Sequence, residues 1–170
     1  TEKLNSSALQ LMSAFPTSEY VVDFGFKYPL EPAKLLALPA LKEMHIVNPQ
    51  QISAELFLQL VTIHSHIHVY YKSVQITWNE LKRAMRIISS ATRNRTARLN
   101  IIASTIADWL RSEGLSEASK AGDVCGQFEF IRAPTEDEND LRLRYNKCNI
   151  RIDRFDWQGG DFGCCVSLTN

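Results

Sequence analysis

Apolar and polar side chains alternate with a period of two in several separate stretches of this chain. The pattern narrows the possible folds more than any other feature, because successive side chains of a β-strand point to opposite faces. Tyr20, Val22, Phe24, Phe26 and Tyr28 alternate with Val21, Asp23, Gly25 and Lys27. Between Val61 and Tyr70, Val61, Ile63, Ile67 and Val69 take one face while His64, His66 and His68 take the other. The last third repeats the pattern in Val124, Phe128 and Phe130 and again in Leu141, Leu143 and Tyr145. The phase then changes at Asn146 and Lys147, a two-residue turn, and Cys148, Ile150 and Ile152 continue it. Segments of this kind share a sheet that is apolar on one face and polar on the other.

Other stretches carry the helical period. Leu4, Ala8, Leu11, Met12 and Phe15 form one stripe, ended by Pro16. Asn48 and Pro49 read as the start of a helix running to about Leu60. Thr77 with Glu80 forms a capping box ahead of Trp78, Leu81, Ala84, Met85 and Ile88. Leu99, Ile102, Ala103, Ile106, Trp109 and Leu110 form a further stripe, with Gly114 as its C′ residue. The polar break from Ser89 to Asn94 makes the last two stripes a central helical hairpin. The expected fold is α+β: an antiparallel β-sheet of about five strands packed against helices, with residues 1–170 forming a single globular domain. A chain of 170 residues with 45% hydrophobic content is large enough for one sizeable core.

Charge excludes a global electrostatic recruiter, since Lys plus Arg and Asp plus Glu number 19 each. Attraction to a polyanion must therefore come from a local patch. Lys82, Arg83, Arg86, Arg93, Arg95 and Arg98 supply one, with no acidic residue from Lys82 to Arg98. They are the candidate contact for phosphate groups, whether of a nucleoprotein, of RNA or of an anionic membrane surface. No apolar run reaches the roughly 18 residues a transmembrane helix needs, and the first residues do not read as a secretory signal, so the expected location is cytoplasmic or virion rather than secreted. Cys125, Cys148, Cys164 and Cys165 show no CxxC spacing and are read as reduced thiols.

His64, His66 and His68 are the candidate metal ligands, because alternate strand residues point the same way and imidazole is a common zinc ligand. Further ligands would have to come from His45 or from acidic and cysteine residues elsewhere in the chain. Trp157 and Phe162 lie in a turn-rich C-terminal segment and are candidates for self-association. The Asp161-Phe162-Gly163 triplet matches a kinase metal motif in letters only, since no glycine-rich loop or catalytic loop precedes it. No P-loop, nucleophile elbow, HExxH or dinucleotide fingerprint occurs, so neither a catalytic centre nor a cofactor is expected.

An aromatic early strand from Tyr20 to Tyr28, helical segments in the middle and antiparallel strands from Val124 to Phe155 together resemble the matrix proteins of rhabdoviruses and related negative-strand RNA viruses. The resemblance implies self-association and bridging of a nucleocapsid to a membrane, with Lys82 to Arg98 as the contact surface. The lysine-rich N-terminal tail and the PPxY motif of that family are missing. The expected function is that of a non-enzymatic, self-associating structural or assembly protein contacting a charged partner. The alternatives are a metal-binding enzyme or sensor using the histidines, and a sequence-nonspecific RNA-binding protein.

Overall fold

A computed structural model of the chain describes residues 10–11, 13–15, 19–23, 32–38, 40–48, 52–71, 74–133 and 139–170. In chain order the elements are β1 (Glu19–Asp23), α1 (Pro32–Leu36), β2 (Glu43–Asn48), α2 (Ala54–Ile63), β3 (His66–Tyr71), α3 (Trp78–Ser89), β4 (Thr96–Ile102) and α4 (Ala103–Ser112). Five strands follow: β5 (Val124–Cys125), β6 (Phe128–Arg132), β7 (Asp140–Tyr145), β8 (Cys148–Asp153) and β9 (Gly163–Thr169). All nine strands join one sheet in the order β1-β2-β3-β4-β9-β8-β7-β6-β5. Neighbours from β1 to β4 run parallel, and every pair from β4·β9 onward is antiparallel.

This corrects the sequence-based architecture in three respects. The sheet has eight strands of five or more residues plus a two-residue edge strand, not about five, and it is mixed instead of antiparallel throughout. The parallel half arises because β1 to β4 are joined through helices, and such crossovers return the chain in the same direction. The central helical hairpin does not exist. Thr96–Ile102 is a strand between α3 and α4, with Ala97, Leu99 and Ile101 buried at 0, 0 and 3% exposure. Leu99, Ile102, Ala103 and Ile106 mimic helical spacing because a strand stripe runs directly into a helix stripe. Finally, Val61 and Ile63 belong to the last turn of α2, and the histidine strand begins only at His66. Helix α2 buries Leu56, Phe57, Leu58, Leu60 and Val61, so its apolar run lacks a clean helical period. Its N-cap is Ser53, whose hydroxyl accepts the Leu56 N–H at 3.3 Å, whereas Asn48 closes β2.

Two helix ends are written plainly in the sequence. Thr77 and Glu80 form the reciprocal capping box of α3, with the Thr77 N–H donating to Glu80 Oε2 at 2.8 Å. Beyond α4, Gly114 takes φ 88°, its N–H donates to the Arg111 carbonyl and the Leu115 N–H donates to that of Leu110, both at 3.0 Å. That is the Schellman arrangement, with Leu115 buried as its hydrophobic contact. The expected strand from Tyr20 to Tyr28 is seen over Glu19–Asp23, and its remainder lies outside the described residues, as does most of the 4–15 stripe.

One face of the sheet is apolar. Met44, Ile46, Ile67, Val69, Leu99, Leu143, Ile150, Ile152, Val166 and Leu168 are buried there. Trp78 of α3 stacks on Trp109 of α4 at 5.4 Å and on Phe128 of β6 at 5.3 Å, and Phe128 meets Tyr145 of β7 at 4.8 Å. These rings fasten α3 and α4 to the antiparallel strands, and full burial of a ring such as Phe128 contributes about 1.5–3 kcal/mol. Within the described residues, no helix is long and apolar enough to cross a membrane.

Candidate functional site

The opposite face of the sheet is polar, and strand register orders it into rows. His45 lies opposite His68, and His68 opposite Arg98. Arg98 pairs in register with Ser167, Ser167 with Arg151, Arg151 with Arg142 and Arg142 with Arg132. Directly opposed residues project to the same side. A seven-strand row therefore runs His45, His68, Arg98, Ser167, Arg151, Arg142, Arg132, spanning roughly 29 Å at the usual strand spacing. The irregularity between Phe130 and Arg132 is what completes it. Phe130 points into the core opposite Leu143, and a bulge after it turns Arg132 outward beside Arg142.

At the β6–β8 end, the arginines converge on one carboxylate. Asp140 is only 3% exposed. It is 2.7 Å from the Arg142 guanidinium, 3.3 Å from that of Arg151 and 3.7 Å from that of Arg132. Burial alone would raise the Asp140 pKa, but the Arg142 hydrogen bond and the three positive charges outweigh it and hold the carboxyl below its ordinary range. Arg151 also donates to Asp153 at 2.7 Å, and Arg144 to Glu129 at 3.2 Å. Exposed Arg98 makes no ion pair with any described residue. Arg98, Arg142, Arg144 and Arg151, with Cys165 and Ser167, line a shallow depression of about 550 Å³.

At the β2–β3 end the row becomes imidazole. The His45 Nε2–H donates to Glu43 Oε1 at 3.1 Å, since a carboxylate only accepts, and Nδ1 is hydrogen-bonded to the Tyr70 hydroxyl at 3.0 Å. The Tyr70 oxygen is also 3.3 Å from His68 Nδ1. The His45 and His68 rings meet edge to face at 4.5 Å. Burial, then the nearby His45 and Arg98, lower the His68 pKa to about 4, so its ring is neutral at pH 7.

The six cations of the 82–98 stretch do not form one patch. Lys82 donates to Glu113 at 2.8 Å, and Trp78 Nε1–H donates to the same oxygen at 2.6 Å, tying α3 to the end of α4. Arg95 donates to the carbonyls of Val61, Thr62 and His64, capping α2. Arg83, Arg86 and Arg93 are exposed on α3 and the loop after it, while Arg98 sits on the polar sheet face. His64 is separated from the other two histidines: it is 1% exposed, and its Nδ1 accepts the Leu41 N–H at 3.1 Å. Burial and the Arg95 charge lower its pKa to about 4. His66 is one row away, opposite Glu43 and Thr96.

Trp157 is buried at 8% exposure against Phe155, and its carbonyl accepts from Arg111, whereas Phe162 is 43% exposed. The C-terminal segment docks on its own subunit: the carbonyls of Phe162 and Gly160 accept the N–H groups of Ala103 and Ser104, at the start of α4. All four cysteines are free, and burial pushes the Cys148 and Cys164 thiols up to about 12 and 11. Sequence reasoning missed Arg132, Asp140, Arg142, Arg144 and Arg151, and also Glu43 and Tyr70. Their signal lay in the polar half of the alternation at Arg142, Arg144 and Arg151, but register between strands distant in sequence has no local signature. No family model, curated protein or solved structure matches the chain.

Proposed function

We propose that the chain is a non-enzymatic binding module that holds a polyanion, single-stranded RNA in sequence-nonspecific fashion, along the polar face of its sheet. The observation that carries this reading is the cross-strand row of Arg98, Arg151, Arg142 and Arg132. Guanidinium groups present planar forks suited to phosphate oxygens, and the Asp140 carboxylate fixes the orientation of three of them before a ligand arrives. Tyr70, at 37% exposure on the same face, offers a surface on which a base can stack. The row supports this reading better than the 82–98 stretch does, because register gathers its arginines on one face, whereas the cations of that stretch point to different places in the fold.

The test is fluorescence anisotropy with a labelled oligouridylate at several salt concentrations. Each phosphate contact contributes about −0.7 to the slope of log K against log salt. Arg98→Ala and Arg151→Ala should each make the slope shallower by about that amount, while Arg83→Ala and Arg86→Ala on α3 should leave it unchanged. Absence of binding at low salt, or dependence on the α3 arginines alone, would refute the sheet-face reading.

A further inference from the structure

Beyond the arginine row, we infer that Glu43, His45 and His68 form a binding site for a single divalent transition-metal ion of the zinc class. The donor atoms of these three residues lie within 4.8 Å of one another, the one such cluster of His, Cys, Asp and Glu among the described residues. Parallel register creates it. Glu43 and His45 are two apart on β2 and so share a face, and His68 of β3 is the direct cross-strand partner of His45. Zinc bonds to nitrogen and oxygen are about 2.1 Å, so donors around one ion sit roughly 3.0 Å apart at right angles and roughly 3.4 Å apart in a tetrahedron. His45 Nε2 and Glu43 Oε1 are 3.1 Å apart, between those two values. An ion entering there takes the place of the proton on Nε2, and His45 stays a neutral imidazole by carrying its proton on Nδ1, where it donates to the Tyr70 oxygen; the widest donor separation, 4.8 Å at most, then contracts by roughly 1.4 Å.

Tyr70 supplies the support that metal-bound imidazoles need. Metal-ligating histidines nearly always engage their second ring nitrogen with an oxygen, which fixes the tautomer and the ring plane. Here one phenol oxygen contacts Nδ1 of both His45 and His68, which leaves Nε2 of each ring as the ligand atom. The Tyr70 ring also stacks on His45 at 5.6 Å with an interplanar angle of 5°. Two neutral imidazoles and one carboxylate suit zinc, cobalt or nickel, whereas magnesium and calcium prefer all-oxygen shells.

Isothermal titration of the full chain with zinc chloride, after removal of metal with a chelator, tests the site. One equivalent of zinc should bind, and cobalt(II) should give the visible absorption of a nitrogen-ligated centre. Glu43→Gln and His45→Asn should each weaken zinc at least tenfold, Tyr70→Phe by roughly tenfold, and His66→Asn not at all. Magnesium should give no heat. His68 is largely buried, so a His68→Asn chain that fails to fold leaves the decision to Glu43→Gln and Tyr70→Phe, both partly exposed positions. The inference is overturned if zinc does not bind, if both of those variants bind it as tightly as the parent, or if His66→Asn abolishes binding. The salt slope of oligouridylate binding is read on Arg98 and Arg151, which the zinc site does not use, so either reading can fail while the other stands.

Discussion

The two ends of the polar row solve the same problem in opposite ways. At β2–β3 an imidazole packed against another gives up its charge: His68 is 7% exposed, with a pKa lowered to about 4. At β6–β8, Asp140 is equally secluded and keeps its charge, because three guanidinium groups surround it. Guanidinium cannot discharge in a protein, so a counter-ion is the only way to crowd several of them, whereas crowded imidazoles simply deprotonate. The row therefore ends in the neutral His68 ring on one side and in fixed positive charge on the other. The first suits a metal cation and the second an anion, although one register aligns them all.

Acid should separate the ends most sharply. His64 lies on the core side of the same β2–β3 region, and its pKa is about 4 folded against 6.5 in the unfolded chain. The unfolded state binds the proton more readily, so the stabilisation is complete above about pH 6.5 and is lost as pH falls toward 4. That shift corresponds to about 3 kcal/mol. The carboxyls of Asp140 and Glu113 are held below their ordinary range, so they stay ionised through most of that window. Urea denaturation at pH 7, 5.5 and 4.5 should show the fall, and His64→Gln should reduce it, with His68 supplying the remainder. A parent chain equally stable at all three values would show that His64 is not held neutral by the fold.

Removing the counter-ion at the other end should cost somewhat less. Asp140→Asn keeps the shape but removes the one carboxylate that Arg132, Arg142 and Arg151 share. Breaking a fully buried pair costs about 3–5 kcal/mol. These guanidinium groups are 33 to 55% exposed, so solvent screens part of the repulsion and about 2 kcal/mol is expected. High salt should restore part of that loss. A change below about 0.5 kcal/mol in chemical denaturation at pH 7 would mean that Asp140 does not organise the arginines.

The sequence disclosed what is local and concealed what is not. The Thr77–Glu80 capping box, the Gly114 helix stop and the Asn146–Lys147 turn between β7 and β8 are all settled by neighbouring residues, and each is legible without coordinates. Strand β4 was hidden because its inward residues Ala97, Leu99 and Ile101 hand over directly to α4, which blends two periods into one false helix. The proposed metal cluster was legible through His68 and, as a further ligand without a place, His45. His64 shares the alternation but lies at the C-cap of α2, and the partners that matter, Glu43 and His45, are two dozen residues upstream. Likewise the 82–98 stretch concentrates charge in sequence, while the arginine row assembles in space from β4, β6, β7 and β8.

The smallest expected effect concerns backbone strain, which again distinguishes the two ends. Asn146 and Arg154 are the non-glycine residues with positive φ among those described, and both belong to the β7–β8 arm. Asn146, at φ 54°, tolerates the left-handed region in its turn, but Arg154 adopts φ 60° directly after β8 without that advantage. An arginine in this conformation costs about 1 kcal/mol relative to glycine, and glycine returns part of the gain through the greater freedom of its unfolded chain. Arg154→Gly should therefore stabilise the fold by about 0.5 kcal/mol. Arg154 also lines the rim beside Asp140, Arg142 and Arg151, so the same change should weaken oligouridylate binding modestly. Higher stability together with weaker binding would indicate that strain is tolerated there for the sake of charge. Lower stability in a thermal melt would show instead that the arginine side chain holds the arm in place.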